Sequence, residues 1–300
     1  TKIGFGLIAI VLVSLPGQNP YQILQARPQA PRVRGVESAL PEPGLVPVRV
    51  GVKAPSVSAR SAIVIDVNSA AVLYQKNPDS PLLPASTTKI MTAMAAIDSY
   101  ALDQVLTAKQ AEAAIGQSMG LEVGEKMTVE NLLYGLLVKS GNDAALALAE
   151  NYPDGYQAFI AEMNQKARQW HLDQTNYKNV SGVEQYEHVT TVRDLSTLAR
   201  EAMSNPVFAK IVGTKAIIVT DVTGEKEYAL TNVNQLLGKV EGLRGIKTGW
   251  TTQAGECLVT DTVRDGHEII TVMLGSEDRF GESQALIEWA YDNHEWKDLE

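Results

Sequence analysis

Apolar positions along the chain change period twice, and each change marks a change of element. Ser61 to Val67 (SAIVIDV) and Val72 to Lys76 (VLYQK) flank Asn68-Ser69-Ala70-Ala71, which predicts a β-hairpin. From about Ser86 to Asn205 the pattern turns helical. Ile90 to Ile97 (IMTAMAAI) is almost wholly apolar and predicts a helix buried on every side. Val129 to Lys139 follows Thr128 as N-cap and is expected to stop at Ser140-Gly141, where glycine is suited to end a helix. Asn142 is then expected to cap a helix over Asp143 to Glu150. Tyr156 to Trp170 gives another helix, and Val192 to Met203 follows the Thr191 cap, with Asp194 three residues on. Strands return as a hairpin of Ala216 to Asp221 and Glu225 to Leu230 around Thr223-Gly224. A second pairs Cys257 to Val263 with Glu268 to Leu274 around Asp265-Gly266. Leu286, Ile287, Ala290 and Tyr291 lie at helical spacing in a closing helix over Ser283 to Tyr291. Strands, helices, strands and a final helix imply an α+β fold with a helical subdomain inserted into one sheet.

Two segments precede this pattern. Ile3 to Leu15 is uncharged and follows Lys2, as in a signal peptide or membrane anchor, although a full span takes roughly 20 apolar residues. Export, with the folded part extracytoplasmic and any membrane association at the N-terminus, is the expectation. Residues 16–58 hold eight of the 13 prolines and no sustained period, which reads as a linker, leaving 59–294 as the folded domain.

Composition narrows the chemistry. A formal net charge of −9 over 300 residues lacks the basic footprint of nucleic-acid binding, so no nucleic-acid partner is expected. The single cysteine, Cys257, has no intrachain partner and reads as a small hydrophobe in a strand. His171, His188, His267 and His294 show no zinc spacing, so neither a metal site nor a cofactor is expected.

Three short motifs could carry a reaction. Ser86 and Lys89 stand three apart at a helix start, where side chains share a face roughly 5 to 6 Å apart. Burial beside the apolar run would hold Lys89 neutral, placing a base next to a nucleophile. Alone this is weak, since a chain this rich in serine and lysine yields about one such spacing by chance. Ser140-Gly141-Asn142, between two helices, can offer a hydroxyl and an amide to one cleft. Lys247-Thr248-Gly249 would give a strand edge a cation, a hydroxyl and a position open to close backbone approach. The three together, in this order, decide what none decides alone.

The set resembles the signature of serine β-lactamases and penicillin-binding proteins. More closely, the chain from about Arg60 to His294 resembles the serine D-Ala-D-Ala carboxypeptidases of the low-molecular-mass penicillin-binding proteins, peptidase family S11. Pro84 to Ala93 (PASTTKIMTA), Leu136 to Ala145 (LLVKSGNDAA), Asn234 to Leu237, Gly242 to Gly249 (GLRGIKTG), Ala254-Gly255 and Arg279-Phe280 carry that resemblance. It implies a β-lactamase/transpeptidase-like fold, an antiparallel sheet flanked by helices with an inserted all-helical subdomain. By the same resemblance Ser86 would be the acylated nucleophile, Lys89 its base and Ser140 a proton relay to the leaving amine. Asn142 would bind the substrate's peptide group. Lys247 would supply positive potential beside Ser140, Thr248 and Arg279 would hold the terminal carboxylate, and backbone N–H groups of Ser86 and Trp250 would receive the oxyanion next to Gly249. Peptidoglycan stem peptides ending in D-Ala-D-Ala are the implied substrates, and β-lactams the covalent inhibitors.

The sequence departs from the family at two places. Trp250 stands where histidine is common, and Asn176 to Val183 replaces the usual Asn-Pro-x-Gly-Leu run. Few residues follow the closing helix, so anchoring is expected at the N-terminus. Two alternatives share the motifs: a class A-like β-lactamase, for which no Glu-x-x-x-Asn run stands at the expected place between Asn142 and Lys247, and a non-catalytic β-lactam sensor or scaffold on the same fold.

Overall fold

Alternation within a single strand sets the layers of the fold. The computed structural model describes residues 44–110 and 115–298. In Ser61–Asp66 (β2), Ile63 and Ile65 join a core beneath the helical subdomain, while Ala62 and Val64 join a second core on the opposite face. Both faces are therefore covered, which explains why all six positions are buried although the strand has period two. Each large aliphatic side chain buried this way contributes about 2 kcal/mol before entropy is counted.

The central sheet is antiparallel. Val72–Lys76 (β3), β2, His267–Ser276 (β10), Gly255–Arg264 (β9) and Leu243–Thr251 (β8) lie in that spatial order, leaving β8 at one edge. Asp265 (φ 49°) and Gly266 (φ 80°) make the tight turn from β9 to β10, as Asp-Gly requires. Arg279–Asp292 (α7) packs on β9 and β10 through Leu286, Ile287 and Ala290. It begins four residues before the predicted closing helix, because Asp278 caps it by accepting from Gly281 N–H.

The helical subdomain fills the opposite face. Lys89–Ser99 (α1) is buried through most of its length, as its apolar run predicts. Around it stand Val129–Leu137 (α2), Asn142–Glu150 (α3), Tyr156–Gln169 (α4) and Val192–Met203 (α5). Thr128 and Thr191 cap α2 and α5 as predicted, each accepting from the N–H three residues on. Pro206–Val212 (α6) was not predicted, although Asn205 accepts from Val207 N–H and proline occupies the first turn.

Several expectations need correction. The helical block is interrupted by a small two-stranded sheet of Val105–Thr107 (β4) and Lys126–Thr128 (β5). Ala216–Thr220 (β6) and Glu227–Thr231 (β7) pair as predicted, in a separate two-stranded sheet. Val46–Arg49 (β1), inside the stretch read as linker, pairs with His294–Lys297 (β11), so ordered structure begins before Arg60. Helix α3 starts at Asn142 itself, with Gly141 in the cap position, and the Asn142 side chain does not cap. Ser140, at φ 64°, takes the left-handed conformation after α2, while Gly141 stays at φ −62°. The apolar segment Ile3 to Leu15 lies outside the described residues. Among those described, no helix is long and apolar enough to cross a membrane.

Candidate active site

The nucleophile candidate sits at the entrance to α1. A single 3-10 turn, Ala85–Thr88, precedes the helix, so Ser86 is on the tighter turn and Lys89 opens the α-helix. This corrects the expected helix start at Ser86 but keeps the two side chains on one face. Ala85 holds φ at 47°, a left-handed conformation that costs a non-glycine residue about 1 kcal/mol. Two glycines make room for that turn. A Cβ on Gly182 would fall 1.8 Å from Ala85 O, and one on Gly249 would fall 2.9 Å from Ser86 N.

Lys89 Nζ lies 2.9 Å from Ser86 Oγ, 2.6 Å from Asn142 Oδ1 and 2.8 Å from Ser181 O. The side chain is fully buried. Burial, and after it the like charge of Lys247, hold its amine well below the usual lysine range, while the charge of Asp143 acts in the other direction. A neutral amine has two N–H bonds and one lone pair. Asn142 Oδ1 and Ser181 O can only accept, and Asn142 is fixed in that orientation because its Nδ2 donates to Ile115 O. Both amine hydrogens are thereby taken by carbonyls, and the lone pair is left for the Ser86 hydroxyl hydrogen. This is the arrangement a general base requires.

The remaining predicted residues gather around this pair. Ser86, Ser140, Asn142, Thr248, Gly249, Trp250 and Arg279 line one cavity of about 930 Å³. Thr248 and Gly249 reach it because β8 is an edge strand with its free side toward Ser86. Lys247 is buried behind them and donates to Thr248 O at 3.0 Å. Burial, and then the charge of Arg279, push its amine down to about 7. Arg279, the first residue of α7, donates from Nη1 to Gly249 O at 2.7 Å, while its buried Nε has no protein acceptor. Trp250 is 61% exposed over the opening. Cys257 is buried in β9, as its surroundings predicted.

Three contributions escaped the motif reading. Ser181 acts through a backbone carbonyl, which has no side-chain signature. His188, buried, accepts at Nδ1 from Lys178 N–H (2.9 Å), so its proton is on Nε2 and donates to Thr88 Oγ1 (2.8 Å). Thr88 Oγ1 in turn donates to Ala85 O (2.8 Å), which ties the left-handed residue beside Ser86 to the 176–190 loop. Burial pushes the His188 imidazole down to about 4, keeping this chain of bonds in one polarity at neutral pH. Asp143 accepts from Ser118 Oγ and from the N–H groups of Met119, Gly120 and Leu121, fixing the segment that carries Ile115 and Gln117 into the cavity wall.

Comparison with known proteins gives this geometry its context. The family model for peptidase S11, described as D-alanyl-D-alanine carboxypeptidase, matches residues 49–278. The chain is 33% identical over 246 residues to the D-alanyl-D-alanine carboxypeptidase DacF of Bacillus subtilis, an alignment covering 79% of this chain and 63% of that protein. It is 33% identical over 240 residues to a D-alanyl-D-alanine endopeptidase of Pseudomonas aeruginosa, covering 78% and 77% respectively. The crystal structure of the Streptomyces K15 DD-transpeptidase matches with a TM-score of 0.76 at 32% identity, over 80% of this chain and 100% of that one. The chain thus spans less than two thirds of the Bacillus relative. A helical subdomain set into an antiparallel sheet, with a serine, its lysine and an edge strand around one cavity, agrees with these matches, and the chain belongs to the D-alanyl-D-alanine carboxypeptidase family, peptidase S11.

Proposed function

We propose that the protein is a serine-type D-Ala-D-Ala carboxypeptidase that trims peptidoglycan stem peptides outside the cytoplasmic membrane and is acylated by β-lactams. The observation that carries this reading is the buried Lys89 amine, 2.9 Å from Ser86 Oγ, with the carbonyl oxygens of Asn142 and Ser181 as its other two partners. Ser86 Oγ attacks the carbonyl carbon of the penultimate D-alanine as its proton passes to Lys89 Nζ. The oxyanion is received by the N–H groups of Ser86 and Trp250, donors worth about 10² to 10³ in rate each when preorganised. Collapse breaks the C–N bond, the proton reaches the leaving amine by way of Ser140, and terminal D-alanine departs. Water then hydrolyses the ester and restores the serine. Thr248 and Arg279 take the terminal carboxylate, Asn142 binds the peptide group, and Lys247 supplies positive potential. Membrane association through the N-terminal apolar segment is part of the same reading.

The relatives named above bear the names carboxypeptidase, endopeptidase and transpeptidase. All three outcomes run through one acyl-enzyme and differ in the group that leaves or arrives. The β-lactamase alternative is disfavoured because, among the described residues, no carboxylate bonds to Lys89 Nζ, whose partners are a hydroxyl, an amide and a backbone carbonyl. Incubation with a pentapeptide ending in D-Ala-D-Ala is expected to release one D-alanine per peptide. After penicillin treatment, mass spectrometry of digested protein is expected to place the adduct on the peptide containing Ser86. Fast turnover of the β-lactam with no persistent adduct would reverse the assignment.

The His188 chain gives a smaller, separable effect. His188→Leu removes the donor to Thr88 and the acceptor for Lys178 N–H, about 1 to 1.5 kcal/mol at the nucleophile turn, so penicillin acylation is expected to slow about tenfold. His188→Gln has both a donor and an acceptor and is expected to recover most of that loss. Stopped-flow acylation with a fluorescent penicillin measures both variants.

A further inference from the structure

Trp250, whose N–H is assigned to the oxyanion, stands near the end of an edge strand that has a partner on one side only. The ladder from β8 to β9 runs through Trp250↔Glu256 and Thr251↔Gly255, then gives way to a turn of Thr252, Gln253 and Ala254. Freedom in that turn would pass directly to the donor two residues before it. The turn is pinned instead. Ala254 N–H donates to Thr251 Oγ1 at 3.1 Å and Gln253 N–H to Glu184 Oε1 at 2.7 Å. The carbonyls of Gln253 and Ala254 both accept from Nη2 of Arg60, the first at 2.7 Å.

Arg60 precedes β2, so its side chain must pass β10 and β9 to reach the turn that leads out of β8. Two glycines open that route. Gly275 in β10 and Gly255 in β9 lie side by side at φ 67° and 72°, and a Cβ on Gly275 would fall 2.3 Å from Arg60 Nε. The register of β10 on β9 shifts at the same place, between Met273 and Ser276. The arginine is also fixed at its root, where its N–H donates to Gly275 O at 3.1 Å and its carbonyl accepts from Asn77 Nδ2 at 2.9 Å. Arg193, Arg244 and Arg264 each pair with a carboxylate, whereas the side-chain bonds of Arg60 go to two consecutive main-chain carbonyls. We propose that Arg60, outside the cavity, is a positioning residue for the oxyanion donor, its guanidinium holding the β8–β9 turn as a further strand would hold the end of β8. This rests on the carboxypeptidase reading and adds to it a residue that touches no substrate.

Two probes test it on wild type, Arg60→Gln and Arg60→Lys: D-alanine release from a pentapeptide ending in D-Ala-D-Ala, and affinity for a peptidyl boronic acid. In the boronic acid adduct Ser86 Oγ bonds to boron and a boron-bound oxygen occupies the oxyanion position, so its affinity reports the same donors without turnover. A donor shifted rather than removed is expected to lower kcat about tenfold in Arg60→Gln, with KM within about twofold and boronic acid affinity weakened by a factor similar to that in kcat. Arg60→Lys keeps a cationic donor without the flat guanidinium and should recover part of both losses. Loosened packing alone would lower Tm and leave both readouts of the folded protein in place. An unchanged kcat in Arg60→Gln, a raised KM with kcat unaltered, or a fall in kcat without a matching loss of boronic acid affinity would overturn the positioning role while leaving the carboxypeptidase reading standing. Should Arg60→Gln not fold, the same two readouts on Arg60→Lys decide. Failure of wild type to release D-alanine would overturn the carboxypeptidase reading, and the role of Arg60 with it.

Discussion

Lys89→Met is expected to slow acylation of Ser86 by about 10² to 10⁴, the range a positioned general base supplies, while the protein still folds. Methionine fills a similar volume and suits the apolar surroundings of α1. A second consequence separates loss of the base from general damage. In the folded protein burial holds the Lys89 amine far below its ordinary value, while the unfolded chain keeps it near 10.4. Between those values the unfolded state binds the extra proton. The contribution of Lys89 to stability therefore rises with pH through that window, by about 1.4 kcal/mol per pH unit, and is lost as pH falls toward the depressed folded value. Lys247, pushed down to about 7, acts in the same sense above that pH. The difference in Tm between wild type and Lys89→Met is therefore expected to shift in favour of wild type from pH 7 to pH 9. Acylation within tenfold of wild type, or a Tm difference that does not move with pH, would contradict the assignment of Lys89 as a neutral base.

The same lysine shows why part of the site was legible in the sequence. Its burial follows from the apolar run that flanks it, and its distance from Ser86 follows from spacing, so both could be read locally. The central sheet was legible for a similar reason: β9 and β10 alternate and are joined by Asp-Gly. What could not be read depends on contacts that leave no local trace. Strand β1 contains a proline and looks like linker until it meets β11 at the far end of the fold. Ser181 contributes a carbonyl, which any residue would provide. Asn142 was expected at a cap because asparagine favours caps, yet the Lys89 amine competes for its oxygen and wins. In the sequence His188 is only a histidine without zinc spacing. Its role depends on Thr88 and Lys178, brought to it from either side by the folded loop.

Asp143 yields the other large effect, because one buried carboxylate acts on both the cavity wall and the Lys89 amine. Asp143→Ala removes the acceptor for the N–H groups of Met119, Gly120 and Leu121 and for Ser118 Oγ. Bonds to a charged acceptor contribute about 1.5 to 3 kcal/mol each and are not additive, so a loss of about 3 to 5 kcal/mol is expected. In a folded region of this size that lowers Tm by roughly 10 °C or more. Asp143→Asn keeps one acceptor oxygen and should lose less, which makes it the variant for kinetics. Its plateau acylation rate is expected to fall, because Ile115 and Gln117 lose the anchor that sets their wall. Its pH profile should also move. The Asp143 charge favours the protonated amine of Lys89, so removing it makes the proton easier to lose and carries the midpoint of the rising limb to lower pH. The other charge acting on that amine, Lys247 on β8, remains and pushes the same way. Loosened packing alone would lower the plateau and leave the midpoint in place, so a lower rate with an unmoved midpoint would reduce Asp143 to a wall anchor, and a midpoint displaced upward would refute its electrostatic part.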